Sequence, residues 1–236
     1  MNEKQNEKQA IHFGIKIRNK KYSLRLCREE FALINTKPSF KPVQWLYDIG
    51  AYTDYTCSEY SREWCEEYRE ICLKNYDINM EFFKSLDKKK FDNKLKAFLR
   101  RFHHFKQIYD LNEADGIPGF YIMVLDEYKQ VYIGKAQNMK KRIQQHWTHT
   151  KQFDRTLYPM YEWETSCFSI DFFRALDTTR IYIWKHKPTS KIEEKLIRKF
   201  PNQFMTNRIG GGINNALEAY KKRNKHLKTI KKLFRR

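Results

Sequence analysis

Five residues, Asp115-Gly116-Ile117-Pro118-Gly119, separate two kinds of sequence and limit most strongly what this chain can fold into. Proline removes an amide donor and clashes with the preceding turn, and glycine weakens a helix, so no helix runs through this stretch. Upstream, from Ser58 to about Leu111, there is neither Gly nor Pro, and Tyr60, Trp64, Tyr68, Ile71, Phe82, Phe83, Leu95, Phe98 and Phe102 recur at helical spacing. That periodicity predicts two or three amphipathic helices, with Asp77 and Asn79 as breaks or caps. The last of them carries Lys88, Lys89, Lys90, Lys94, Lys96, Arg100 and Arg101, expected as a solvated face that could also line a polyanion. Further upstream, the alternation from Ile11 to Leu26, interrupted by Arg18-Asn19-Lys20-Lys21, predicts a β-hairpin.

Downstream the period changes. Phe120 to Leu125 and Gln130 to Gly134 read as strands around a tight turn, Met139 to Thr150 as a helix, Arg180 to Lys185 as a strand and Ser190 to Phe200 as a helix. A long aromatic segment between Lys151 and Thr179 holds Tyr158, Tyr161, Trp163, Phe168, Phe172 and Phe173, with Asp171 and Asp177 as extra acidic candidates that more often serve as cap or turn residues. From Lys221 the tail contains no acid, and Leu227, Ile230, Leu233 and Phe234 give it a thin apolar stripe, so it is expected to form a basic helix. The expected organisation is a mostly helical part at 1–114, a mixed domain at 115–215 and a basic helix at 216–236.

Charge narrows the partners. Against 28 Asp and Glu there are 47 Lys and Arg, a formal net charge of +19. Such an excess repels itself unless a polyanion takes it up, which points to nucleic acid or an anionic membrane. No stretch approaches the roughly 20 apolar residues of a spanning helix, and the polar N-terminus lacks a secretory core, so a cytoplasmic location is expected. Five cysteines without a Cys-x-x-Cys pair give neither a disulfide framework nor a zinc site, and they are expected as small buried hydrophobes.

Two short motifs flank the central turn: Gly119-Phe120-Tyr121, then ten residues, then Tyr132-Ile133-Gly134, which continues into Lys135-Ala136-Gln137-Asn138. Pairing the two strands would bring both phenols to one face. The run resembles the signature of the GIY-YIG nucleases, in the version found in the incision subunit of bacterial nucleotide-excision repair. Further positions follow in the family's order: Arg142 and His146, one helical turn apart on one face, then Glu193 three residues before Leu196-Ile197, then Asn207. Phe120 replaces the usual aliphatic middle residue. The resemblance spans residues 117 to 212 and implies an α+β fold, with a helical N-terminal region followed by a small domain built on a central three-stranded antiparallel sheet flanked by helices.

It also implies a chemistry: a metal-dependent endonuclease that hydrolyses DNA phosphodiester bonds. Such hydrolysis needs a nucleophilic water, neutralised non-bridging oxygens and a stabilised leaving oxygen. One Mg²⁺ or Mn²⁺ held by Glu193, with Glu194 as the alternative ligand, would meet the last two needs, because Mg²⁺ takes only one or two carboxylates and keeps its waters. Arg142 would fork onto the scissile phosphate. By the resemblance Tyr132, ahead of Tyr121, serves as base, with Lys135 lowering the phenol pKa, His146 as an alternative proton relay and Asn207 completing the site. The alternatives are a DNA-binding protein on a nuclease fold that no longer cuts, and a basic RNA-binding protein.

Overall fold

The computed structural model describes residues 9–19, 22–35, 62–148 and 168–207. Its elements are β1 (Gln9–His12), β2 (Ile15–Arg18), α1 (Arg28–Asn35), α2 (Arg62–Ser85), α3 (Lys88–Arg101), β3 (Lys106–Ile108), β4 (Gly119–Leu125), β5 (Gln130–Ala136), α4 (Met139–Thr148), β6 (Arg180–Lys185) and α5 (Ser190–Arg198). The expected basic C-terminal helix and the aromatics Tyr158, Tyr161 and Trp163 lie outside the described residues.

The architecture is α+β: helices in the N-terminal part, then a sheet in the order β3-β6-β4-β5, every pair antiparallel. Central β4, Gly-Phe-Tyr-Ile-Met-Val-Leu, is buried along its whole length, which a strand covered on both faces requires. Alternation sends Tyr121, Met123 and Leu125 to one face and Phe120, Ile122 and Val124 to the other. On the first face they pack against Phe31 of α1, Cys72, Ile78, Phe82 and Phe83 of α2, and Met139, Ile143 and Trp147 of α4. On the second they meet Phe91, Leu95 and Phe98 of α3 and Leu196 and Ile197 of α5.

The sheet has four strands, not the expected three. Helix α3 stops at Arg101, short of Leu111, and Lys106–Ile108 pairs with Ile181–Ile183 of β6. Both apolar clusters therefore draw on residues from either side of Asp115. The helices also divide elsewhere than expected. α2 runs through Asp77 and Asn79, because Asn79 turns its amide onto the Asn75 carbonyl at 2.8 Å and accepts the Phe168 amide at 3.0 Å, while Asp77 forks with Arg28 of α1. The break falls at Leu86, where Asp87 caps α3 by accepting from Lys90 N at 2.6 Å. The N-terminal hairpin turns at Phe13 and Gly14, both at positive φ, and not at Arg18–Lys21. Two consecutive left-handed residues make the tight loop that matches strand twist.

Candidate active site

Pairing of β4 with β5 sets Tyr121 opposite Gly134 and Met123 opposite Tyr132, so the two phenols are diagonal neighbours on one face, with ring centroids 6.1 Å apart. Gly134 makes this possible. A Cβ there would lie 2.5 Å from Tyr121 Oη, 2.6 Å from its Cζ and 2.8 Å from Tyr132 Cε1, so only a residue without a side chain lets both rings lie over the strand.

Helix α4 delivers the next groups. Asn138 caps it by accepting from Lys141 N at 3.0 Å, and Met139, Ile143, His146 and Trp147 form its buried stripe. That stripe directs His146 at the phenols. Its Nε2 is 2.9 Å from Tyr121 Oη, and its ring meets Tyr132 edge-on at 4.9 Å between centroids. Its Nδ1 is 2.6 Å from Oδ1 of Asp171, in the short helical turn Ile170–Phe172. An ionised carboxylate only accepts, so Nδ1 carries a proton and Nε2 of the neutral ring is left to accept the Tyr121 hydroxyl. Tyr121 is fully buried while Tyr132 is partly exposed and shares a hydrogen bond with Tyr121. The result is a continuous polar path with a buried middle and partly exposed ends: Tyr132, Tyr121, His146, Asp171.

Burial, not local positive charge, governs the acidity of the phenols, contrary to the expected lowering. It pushes Tyr132 up to about 12 against the pull of Arg142, with Asp171 and Glu193 adding to the rise. Tyr121, buried more deeply and close to Tyr132, is held well above the usual phenol range, again against Arg142. Arg142 thus stands beside both phenols, one turn before His146, and its guanidinium also donates to Gln145 Oε1 at 3.3 Å. Lys135 is engaged elsewhere: its Nζ lies 2.9 Å from Glu193 Oε2 and donates to Ser190 Oγ at 2.6 Å.

Glu193 occupies the first turn of α5, which Thr189 caps by accepting from Ile192 N. A carboxylate is favoured there by the amide dipoles. Strand alternation places Lys135, its partner, on the opposite face from Tyr132, yet the Glu193 carboxylate is near enough to raise the pKa of both phenols. Glu194 pairs loosely with Arg198 at 4.0 Å and is more exposed, 46% against 23% for Glu193. Asn207 has a different place from the other candidates. Its Oδ1 accepts from Ile133 N at 3.0 Å and its Nδ2 donates to Ile133 O at 2.7 Å, clamping edge strand β5 beside Tyr132.

Among the described residues no three His, Cys, Asp or Glu side chains converge as a metal cluster. What the site offers is one hard, partly exposed carboxylate already paired with a cation, a donor set that fits a hydrated divalent ion bound through a single protein ligand. Asp171 is an acidic candidate for which the sequence favoured the turn role over a place in the site. No periodicity links it to His146, twenty-five positions away, and only the fold brings them together.

Residues 117–168 match the family described as UvrC-like GIY-YIG domain. The match takes in both tyrosine motifs, Lys135, Arg142 and His146, and it ends before Asp171, Glu193 and Asn207. No curated protein and no solved structure matches the chain. Members of this family are typically nucleases that use a divalent metal, which implies nucleic acid as the partner, and no helix among the described residues is long and apolar enough to cross a membrane. At residues 117–168, therefore, the chain carries a UvrC-like GIY-YIG domain.

Proposed function

We propose that this chain is a metal-dependent endonuclease that hydrolyses DNA phosphodiester bonds. The observation that carries the reading is the polar path Tyr132–Tyr121–His146–Asp171, with the Glu193 carboxylate near enough across the sheet to act on both phenols. Glu193 would hold one Mg²⁺ or Mn²⁺, which when bound supplies positive charge to the non-bridging and leaving oxygens.

A phenol of pKa about 12 is a weak base at neutral pH, so it needs a second group to receive its proton. Tyr132 Oη accepts a proton from water as its own passes to Tyr121 Oη, and the Tyr121 proton passes to His146 Nε2. The net products are hydroxide at the phosphate and an imidazolium stabilised by Asp171. Asp171 is a positioning residue: it fixes the tautomer that leaves Nε2 free to accept, the logic of a carboxylate–histidine–nucleophile relay. Arg142 contributes a forked cation beside the phenols that can hold a phosphate oxygen. Lys135 positions the Glu193 carboxylate. Asn207 fixes the strand that carries Tyr132 and so acts through the backbone.

Supercoiled plasmid tests the reading. The wild-type chain should nick or linearise it with Mg²⁺ or Mn²⁺ and stop on addition of EDTA, and Glu193→Ala should abolish cutting while gel-shift binding survives. Undiminished cutting by Glu193→Ala would move the ligand role to Glu194. A wild-type chain that binds plasmid but cuts with neither ion would remove the hydrolase reading.

A further inference from the structure

A second surface of the sheet carries rings that the proposed chemistry does not use. Trp184 of β6 is only partly buried, and imidazoles flank it: His104 stacks on it at 5.2 Å with 17° between planes, and His186 lies 4.9 Å away on another side. His103 extends the run, 4.1 Å from His104, while Phe105 and Phe120 support Trp184 from beneath at 5.8 and 5.3 Å. His103, His104 and His186 are all exposed. The two segments that supply these rings, 100–109 and 182–191, contain no Asp or Glu, and they expose Arg100, Arg101, Lys106, Lys185, Lys187 and Lys191.

Register ties this surface to the candidate active site. Phe120 pairs with Lys135 on one side and with Trp184 on the other, so one row runs across the sheet from the Glu193–Lys135 pair to Trp184. Two interstrand spacings separate its ends, about 10 Å, roughly the reach of two nucleotides of extended strand. Exposed stacked rings set among exposed cations suit a polyanion with free π faces. A single DNA strand offers those faces, whereas a duplex hides them in its own stack.

We propose that the His104–Trp184–His186 surface binds an unpaired DNA strand by base stacking and so guides single-stranded or locally opened DNA toward the site. The choice of DNA rests on the nuclease reading, but the binding itself needs no metal and no cleavage. The test is fluorescence anisotropy of the full chain in EDTA with a labelled oligo(dT), an abasic deoxyribose-phosphate strand of equal length and a blunt duplex. Wild type should favour oligo(dT) over the abasic strand and the duplex. The exposed double variant His104→Ala/His186→Ala, and Trp184→Leu, should each bind oligo(dT) about tenfold more weakly and the abasic strand unchanged. Equal losses on both strands, or none in the double variant, would overturn the proposal and leave a surface that senses charge alone. A wild type that cuts nothing yet shows this base-dependent binding would remove the nuclease reading and leave the stacking surface standing.

Discussion

The two faces of the β4–β5 hairpin are built by the same alternation and serve opposite ends. One face carries Phe120, Ile122, Val124, Val131 and Ile133 against α3 and α5, and the cluster there is aliphatic and aromatic. The other carries Tyr121 and Tyr132 and is cut through by buried polar groups: His146, Asp177, Thr178 and Asn79. Burying polar groups costs free energy unless each is partnered, so a face that tolerates several has a network to hold them. Here His146 is held by Tyr121 and Asp171, Thr178 by the Trp147 indole, Asp177 by Leu26 N, Arg174 N and the Tyr128 hydroxyl, and Asn79 by Asn75 and the Phe168 amide. The apolar face fixes the hairpin and carries the Glu193–Lys135 pair at its rim, and the polar face carries the phenols.

The contrast breaks most sharply at Gly134. A Gly134→Ala chain has to displace both phenols, the buried Tyr121 and the partly exposed Tyr132, and it should lose about 4 kcal/mol of stability together with cleavage. Urea unfolding checks the first effect and single-turnover nicking the second. Near-wild-type values of both would mean that the phenols have room the structure does not show.

On the apolar face, Ile122→Ala should cost about 3 kcal/mol in the same unfolding experiment and leave cleavage per folded molecule within about twofold. A large catalytic loss at unchanged stability would erase the distinction between the faces.

The smallest effect concerns Asp177. Its carboxylate accepts from Leu26 N at 2.9 Å, Arg174 N at 2.7 Å and the Tyr128 hydroxyl at 3.2 Å, and burial pushes its pKa up to about 6. Between the unfolded value near 3.8 and about 6 the folded chain binds the extra proton, so its contribution to stability is full at low pH and falls as pH rises through that window. Compared with Asp177→Asn, wild type should lose on the order of 1–2 kcal/mol between pH 4 and pH 7. Parallel stability curves for the two chains would show that the group does not titrate there.

Much of the strand pattern was legible from alternation alone: β4, β5 and β6 lie within two residues of where apolar periodicity puts them. What eluded the sequence is what tertiary partners decide. A three-residue strand such as β3 exists through its pairing with β6. The continuity of α2 depends on Asn79 finding Asn75 and the Phe168 amide, and a polar residue in isolation signals a break. The candidate site shows the same division. Its tyrosines, Arg142, His146 and Glu193 were named through the resemblance to the family, whereas the acidity of the phenols lies outside any resemblance, because counting nearby cations ignores burial. Asp171 stood out only as one of two extra acids, since its meaning is a contact with Nδ1 of His146.

Single-turnover cleavage by His146→Ala and Asp171→Asn, with saturating Mg²⁺ and DNA across a pH series, tests the polar path most directly. Removal of the proton acceptor should slow cleavage about a thousandfold. Asp171→Asn, whose amide can donate to Nδ1 and so reverse the tautomer, should slow it about a hundredfold, with the fold and DNA binding retained. Cleavage by both variants at the wild-type rate, with an unchanged pH profile, would show that the protons leave by another route.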